Sequence, residues 1–139
     1  MELMTIAVLL ASSSLSCATT ESSAFAIKVE TLIQSTSSRD GTPFTAYPVG
    51  QPQITVLKIT VPPHTRMEWH SHPIPIAGYI LSGELTIEKT DGTTQQFVAG
   101  QAVAETVDSI HRGTTGATPV VVIALCPGTP GKPVSNREH

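Results

Sequence analysis

Alternation of apolar and polar residues with a period of two is the feature that most constrains the fold of this chain. In the run QITVLKITV at 53–61, Leu57, Ile59 and Val61 alternate with polar residues, and ELTIEK at 84–89 repeats the pattern. Successive side chains of a strand point to opposite faces of a sheet, so each run predicts a strand with one buried face. No amphipathic helix of useful length is evident. An all-β domain is therefore expected.

Turn residues divide the rest of the chain into short strands. Asp91-Gly92 predicts a hairpin between 84–89 and the next strand, and Ser82-Gly83 predicts another hairpin just before 84–89. The segment 119–125 is almost wholly apolar, which is typical of a strand buried on both faces. Short strands joined by short turns favour a β-sandwich or barrel. Strands are predicted at 27–35, 53–61, 78–81, 84–89, 93–98, 101–105 and 119–125.

Length and charge limit the number of domains and the kinds of partner. A chain of 139 residues is long enough for one core and too short for two ordinary domains. The net charge is −3, only 14% of residues are charged, and no run of Lys or Arg occurs. A nucleic-acid-binding protein would carry a basic patch, so this class is excluded as a partner.

The first 26 residues predict an export signal. An apolar stretch from Leu3 to Ala11 is followed by Ala24-Phe25-Ala26, which fits the A-x-A cleavage pattern, so cleavage near Ala26 would give a periplasmic or secreted protein. The initial segment carries Glu2 and no basic residue, which leaves a misassigned start or a disordered tail as alternatives. Lipidation at Cys17 is a further alternative, with a leucine one place from its usual position. The apolar stretch is too short to remain as a membrane span.

The segment Trp69-His70-Ser71-His72 contains the strongest chemical signal. Residues two apart in a strand share a face, so His70 and His72 would project side by side and could bind one metal ion. The alternative is that one histidine caps the turn at His72-Pro73. A metal would need a further ligand from elsewhere in the chain.

At this point the sequence resembles the small single-domain cupins. Their two motifs read G-x5-H-x-H-x3,4-E-x6-G and G-x5-P-x-G-x2-H-x3-N, and here His70, His72 and Gly83 match the first, while Gly100 and His111 match the second. The resemblance covers residues 50 to 126. It implies an antiparallel β-barrel of jelly-roll type over 27–126, with His111 as the third metal ligand inside the barrel. The segment 127–139 is rich in Gly, Pro and polar residues and is expected to be a loosely held tail.

The chain departs from the family motifs at several positions. The most important is Ile76, which occupies the place of the glutamate ligand and cannot bind a metal. Glu105 is the main candidate to supply a carboxylate, either as a fourth ligand or as a partner of a ligand, and Glu68 is a second candidate. The other departures from the motifs are His64, Thr106, Asp108 and Thr115.

Three neutral imidazoles would leave a divalent ion with its full charge and open positions. Fe, Mn, Ni, Cu and Zn all accept imidazole nitrogen, so the ligands do not choose the metal. The resemblance implies an oxygenase, dioxygenase-like enzyme, decarboxylase or isomerase acting on a small oxygenated molecule, and an anionic chelating substrate is favoured. The alternative is a non-catalytic barrel that binds a small ligand or has a structural role. A homodimer is expected to cover the barrel edges.

The remaining conspicuous residues have simpler interpretations. Trp69 and Tyr79 are expected to anchor the core, and Arg112 is expected to point away from the neighbouring His111 towards solvent. Cys126 would be the single cysteine after removal of 1–26, which excludes an internal disulfide and predicts a buried thiol.

Overall fold

The computed structural model describes residues 26–138, and these contain strands and no helix. Residues 26–30 belong to one unit and residues 31–138 to a second unit, which contains all the strands of the described residues. The predicted export signal over 1–26 and the lipidation alternative at Cys17 lie outside the described residues, apart from Ala26. Both stay predictions. In the described part of the chain, no helix is long and apolar enough to cross a membrane.

Within residues 26–138, nine antiparallel strands form two sheets that enclose the core. The first sheet has the order β1-β8-β3-β6 and the second has the order β5-β4-β7-β2-β9. This confirms the predicted all-β fold of jelly-roll type. The strands are β1 (Gln53–Val61), β2 (His70–Ser71), β3 (Ala77–Ser82), β4 (Glu84–Lys89), β5 (Thr94–Val98), β6 (Ala102–Ala104), β7 (His111–Thr115), β8 (Val120–Gly128) and β9 (Asn136–Arg137).

Two groups of buried side chains fill the space between the sheets. One is centred on Ile80, Ile87 and Val120, each at most 1% exposed, and the alternation in β4 supplies its members by turning Leu85 and Ile87 inward. The other group contains Ile74, Ile76, Ala124 and Cys126. Burial of these aliphatic side chains is the main source of stability, since no disulfide is formed by the described residues.

The Asp91-Gly92 hairpin is confirmed, because β4 and β5 are antiparallel neighbours on either side of it. The pairing of Glu88 with Thr94 and the hydrogen bond from Lys89 N to Thr93 O give a loop of three residues, 90–92, and not of two. The hairpin predicted at Ser82-Gly83 is wrong, because β3 and β4 lie in different sheets. Here the chain crosses from one sheet to the other, and a turn signal alone does not tell a hairpin from a crossing. Gly83 allows the sharp change of direction with φ +79°.

Two other strand predictions need correction. Residues 27–30 and 31–35 form no strand, because alternation supplies an apolar face but not the neighbouring backbone that a strand needs. The strand at 119–125 is not buried on both faces. In β8 the inward residues Val120, Val122 and Ala124 are buried, whereas Leu125 is 44% exposed.

The C-terminal segment, predicted to be a loose tail, contains strand residues that pair with the barrel. β8 continues to Gly128, past the predicted barrel limit at residue 126, and β9 then pairs with β2. Ser71 Oγ donates a hydrogen bond to Glu138 Oε1 at 2.7 Å, and Glu138 N donates one to Trp69 O at 3.0 Å. A short edge strand gains a hydrogen-bonded neighbour in this way, which a composition rich in Gly and Pro does not reveal.

His64 and Asp108 are the non-glycine residues with positive φ in the described part of the chain, at 51° and 53°. Both stand where the cupin motifs carry glycine. The fold has therefore kept the left-handed backbone at two positions where this sequence has lost the residue that adopts it most easily.

We expect the substitution His64→Gly to stabilise the protein. His64 is exposed, and release of left-handed strain favours the folded state by about 1 kcal/mol. Urea unfolding would measure the change. The control is Thr60→Gly in β1, which is also exposed and should lose about 0.5 to 1 kcal/mol, since glycine weakens a strand. Equal destabilisation by both substitutions would contradict the strain argument.

Candidate metal centre

The three predicted histidines lie together at one side of the barrel interior. β2 pairs with β7 so that His70 lies directly opposite His111, and His72 follows β2 on the same face as His70. The ring centroids are 4.6 to 5.1 Å apart. One nitrogen from each ring falls within 4.8 Å of the nitrogens of the other two, which is close enough for a single metal ion.

Backbone carbonyls fix the orientation and tautomer of all three rings. Each Nδ1 lies within hydrogen-bonding distance of a carbonyl oxygen, which can only accept a hydrogen bond, so each Nδ1 carries the proton. Each Nε2 then keeps a free lone pair. The acceptors are Glu68 O for His70 at 2.9 Å, Val134 O for His72 at 2.9 Å and Ser109 O for His111 at 2.8 Å. This is the outer arrangement that metal-binding histidines normally have.

Burial keeps two of the rings uncharged. The side chain of His111 is 2% exposed, and burial lowers its pKa from the ordinary value. Burial also lowers the pKa of His72, although its hydrogen bond to Val134 O opposes this. A metal binds the neutral imidazole, so lowered pKa values keep the ligands available at neutral pH.

Glu105 lies at the edge of the histidine cluster. Its Oε2 is 3.6 Å from His111 Nε2, and its side chain is 13% exposed. Glu105 Oε2 and the unprotonated His111 Nε2 both present lone pairs to each other. A cation bound near both atoms would stabilise this contact. Glu105 does not belong to the group whose ligand atoms all lie within 4.8 Å of one another. It therefore reaches the centre from the side of His111.

A cavity of about 130 Å³ adjoins the cluster, with His72, Glu105 and His111 in its wall. Most of its other lining residues are apolar, and they include Ile76, which is 6% exposed. The structure thus has an aliphatic side chain where the family motif has a carboxylate. This volume is well below the roughly 300 to 1,000 Å³ of ordinary small-molecule pockets, so only a small ligand would fit.

The second acidic candidate, Glu68, lies outside the centre. Its side chain is 75% exposed and its carboxylate is 3.5 Å from Arg137 Nη1. Glu68 contributes only its backbone carbonyl, which accepts the hydrogen bond from His70. Glu68 lies outside β2 in a segment without strand structure, so the alternation that would place it on the face of His70 does not extend to it.

Arg39 is a residue of the site that the sequence interpretation missed. Its Nε lies 3.3 Å from Glu105 Oε2, and its side chain is 4% exposed. The residue stands in a polar turn of the kind that is normally solvated, so neither its type nor its spacing indicated burial beside the histidine cluster. Arg39 and Glu105 are also far apart in the sequence, so no local pattern predicts their pairing.

The other expectations about neighbouring residues are confirmed only in part. Trp69 and Tyr79 are half-buried and belong to neither core group, so the prediction that they anchor the core is wrong. The side chain of Arg112 is only 16% exposed, so it packs on the surface and does not extend into solvent as expected. Arg112 points away from the centre, since its guanidinium stacks 4.1 Å from the centroid of the Trp69 ring and its Nε donates to Glu88 Oε2 at 2.9 Å. Cys126 is buried and unpaired, and burial raises the pKa of its thiol, so it remains protonated at neutral pH.

A family model described as a cupin domain matches residues 57–126, which is half of the chain. The chain belongs to the cupin family. The match includes the three histidines, Glu105 and both motif glycines. No curated protein sequence gives a significant match.

Solved structures with the same fold include proteins of different function. Polyketide cyclase RemF from Streptomyces resistomycificus is 19% identical, with a TM-score of 0.54 over 62% of this chain and 61% of the cyclase. DMSP lyase DddQ from Ruegeria pomeroyi is 18% identical, with a TM-score of 0.54 over 70% and 46%. A cupin-like protein from Thermotoga maritima is 15% identical, with a TM-score of 0.52 over 61% and 64%. This cupin thus spans less than two thirds of each of them, and such likeness establishes the fold alone.

Proposed function

We propose that this cupin binds one divalent transition-metal ion through the Nε2 atoms of His70, His72 and His111. The observation that carries the proposal is the set of three hydrogen bonds from Nδ1 atoms to backbone carbonyls, which leaves three lone pairs available to one ion. Without a cation, three neutral rings in a partly buried cluster would bring a desolvation penalty and little compensating interaction. The ion is Fe, Mn, Ni, Cu or Zn, since imidazole accepts all of them.

We further propose that the centre is enzymatic and acts on a small oxygenated molecule. The bound metal would supply Lewis acidity or a site for dioxygen, consistent with an oxygenase, decarboxylase or isomerase. The protein's own contribution is to hold the rings in place and exclude water, since the cavity is small and mostly apolar. An anionic ligand with two oxygen donors suits a site with three neutral ligands.

The apolar lining also supports a second candidate, a cupin that binds a small ligand without reaction. Ile76 stands in the cavity wall where the family motif has a glutamate. A cupin that only binds its ligand needs no carboxylate to accept a proton. Oxygen consumption with catechol-like and enol substrates separates the two candidates. A homodimer remains a prediction for either one.

Metal analysis of the purified protein tests the proposal directly. We expect close to one equivalent of a transition metal in the wild type and less than about a tenth in His70→Ala and His111→Ala, because two imidazoles hold a labile ion poorly. His64→Ala is the matched control, since His64 is exposed and lies outside the cluster, and it should retain the wild-type content. Equal metal content in all four proteins would overturn the proposal.

A further inference from the structure

The turn that contains Arg39 is a folded loop fastened to the barrel. Within the loop, Ser38 N donates to Thr42 O at 2.9 Å and Gly41 N donates to Ser38 O at 2.9 Å. Arg39 N donates to Ala104 O at 2.8 Å, next to Glu105, and Gln95 Nε2 donates to Arg39 O at 3.0 Å. The backbone of Arg39 is thus held between β5 and β6, which fixes the point from which its side chain enters the protein.

A second ion pair fastens the same loop from the outside. Lys89 Nζ lies 2.8 Å from Asp40 Oδ2, and this hydrogen bond lowers the pKa of Asp40 well below its usual range. The pair is more exposed than the pair between Arg39 and Glu105. Lys89 is the backbone partner of His111 in the pairing of β4 with β7, and a substitution of its side chain keeps this backbone pairing. Substitution of Lys89 therefore tests whether weaker attachment of the loop is enough to change the metal centre.

The guanidinium of Arg39 contacts the Glu105 carboxylate through one of its nitrogen atoms. Nε faces Glu105 Oε2 at 3.3 Å, and Nη1 donates to Gln95 Oε1 at 2.8 Å. Nη2 is the one buried side-chain nitrogen or oxygen among residues 26–138 without a hydrogen-bond partner. Nε and Nη2 share one edge of the guanidinium, the edge that binds a carboxylate through two parallel hydrogen bonds in the usual pairing. The pairing here is therefore one-sided.

The one-sided pairing has a consequence for the orientation of Glu105. The oxygen held by Arg39, Oε2, is also the oxygen that lies 3.6 Å from His111 Nε2. Among the described residues, Glu105 is the one acid within 4.0 Å of a histidine of the cluster. Arg39 thus holds the carboxylate in the orientation in which it faces the ligand atom of His111. Glu105 is also the backbone neighbour of Ile76, since Glu105 N donates to Ile76 O at 2.8 Å.

We propose that Arg39 is a positioning residue that holds Glu105 as the anionic group of the three-histidine metal centre, in compensation for the carboxylate that Ile76 replaces. The inference rests on the proposed metal site and deepens it. A cation near the Nε2 atoms gains from a fixed negative charge beside it, whereas an unrestrained glutamate would turn towards solvent. The loop at 36–43 thereby becomes part of the metal centre.

A double-mutant cycle with Co²⁺ as the probe tests this role. The wild type, Arg39→Gln, Glu105→Gln and the double variant are stripped of metal, and Co²⁺ affinity is measured by competition with a chromophoric chelator. Each single substitution should weaken binding by about ten- to a hundredfold, the usual effect of removing a partner of a metal ligand. The double variant should be no weaker than Glu105→Gln, because Arg39 acts only through Glu105. The visible absorption of bound Co²⁺ should change in the same way in both single variants.

Two further variants separate positioning from stability. Arg39→Lys keeps the charge and should recover part of the affinity lost in Arg39→Gln. Lys89→Gln loosens the same loop and should leave affinity and absorption unchanged. Thermal unfolding of the metal-free proteins identifies any variant that fails to fold.

Each contrary result has a definite meaning. Wild-type affinity and absorption in Arg39→Gln, or equal weakening by Lys89→Gln, would overturn the role of Arg39 while leaving the three-histidine site intact. Additive losses in the double variant would show that Arg39 does not act through Glu105. A wild type that binds Co²⁺ no better than His111→Ala would overturn the metal site itself, and this inference with it.

Discussion

Removal of bound metal should lower the melting temperature of the wild-type protein by about 10 °C. An ion that binds only the folded state stabilises it by about 2.7 kcal/mol when free metal is a hundred times Kd. A domain of roughly 110 residues gains about 4 °C for each kcal/mol. The ligands come from β2, β7 and the segment after β2, so the ion would tie together parts of the barrel that the backbone holds with very short strands.

The comparison is made within each protein, by thermal unfolding with Zn²⁺ and then with excess EDTA. His111→Ala should melt at the same temperature in both conditions, since it cannot hold the ion. Any intrinsic loss of stability from removing a buried side chain cancels in this comparison. A shift of equal size in His111→Ala would mean that Zn²⁺ stabilises the fold at another place.

The pairing of His70 with His72 could be predicted because strand alternation is a local rule. His111 could be predicted only from the family motif, since nothing in its own surroundings marks it as a ligand. The structure supplies the reason for the pairing, because antiparallel β2 and β7 bring His70 and His111 into register. The Nδ1 contacts, which orient the rings, come from backbone carbonyls and leave no trace in residue identity.

The contribution of two distant segments could not be predicted from the sequence. Arg39 lies in a polar turn, and its burial depends on hydrogen bonds to Gln95 and to the backbone at Ala104. Val134 lies in a segment rich in Gly and Pro, yet its carbonyl accepts the hydrogen bond from His72. Both effects depend on how separate parts of the chain pack, whereas composition and periodicity describe each part alone.

Replacement of Gly83 by alanine should destabilise the fold by about 4 kcal/mol. The backbone at Gly83 has φ +79°, and a Cβ there would overlap the carbonyl oxygen of Pro119 and come within 3.0 Å of Val120 Cα. Left-handed strain contributes about 1 to 2 kcal/mol and the overlap with backbone atoms about 1 to 3 kcal/mol more. The total of about 4 kcal/mol is a large part of the stability of a small domain.

Gly100→Ala is the matched control for the contribution of the overlap. Gly100 also has positive φ, at +90°, and is also a motif glycine, but an added Cβ would meet no atom within 4 Å among the described residues. Denaturant unfolding should show a loss of about 1 to 2 kcal/mol, from backbone strain alone. The sequence motif treats these two glycines as equivalent, whereas the structure distinguishes them by the approach of β8 to the crossing between β3 and β4. Equal losses in the two variants would mean that β8 can move aside at Pro119, so that the glycine at position 83 serves the backbone conformation and not the packing of the sheets.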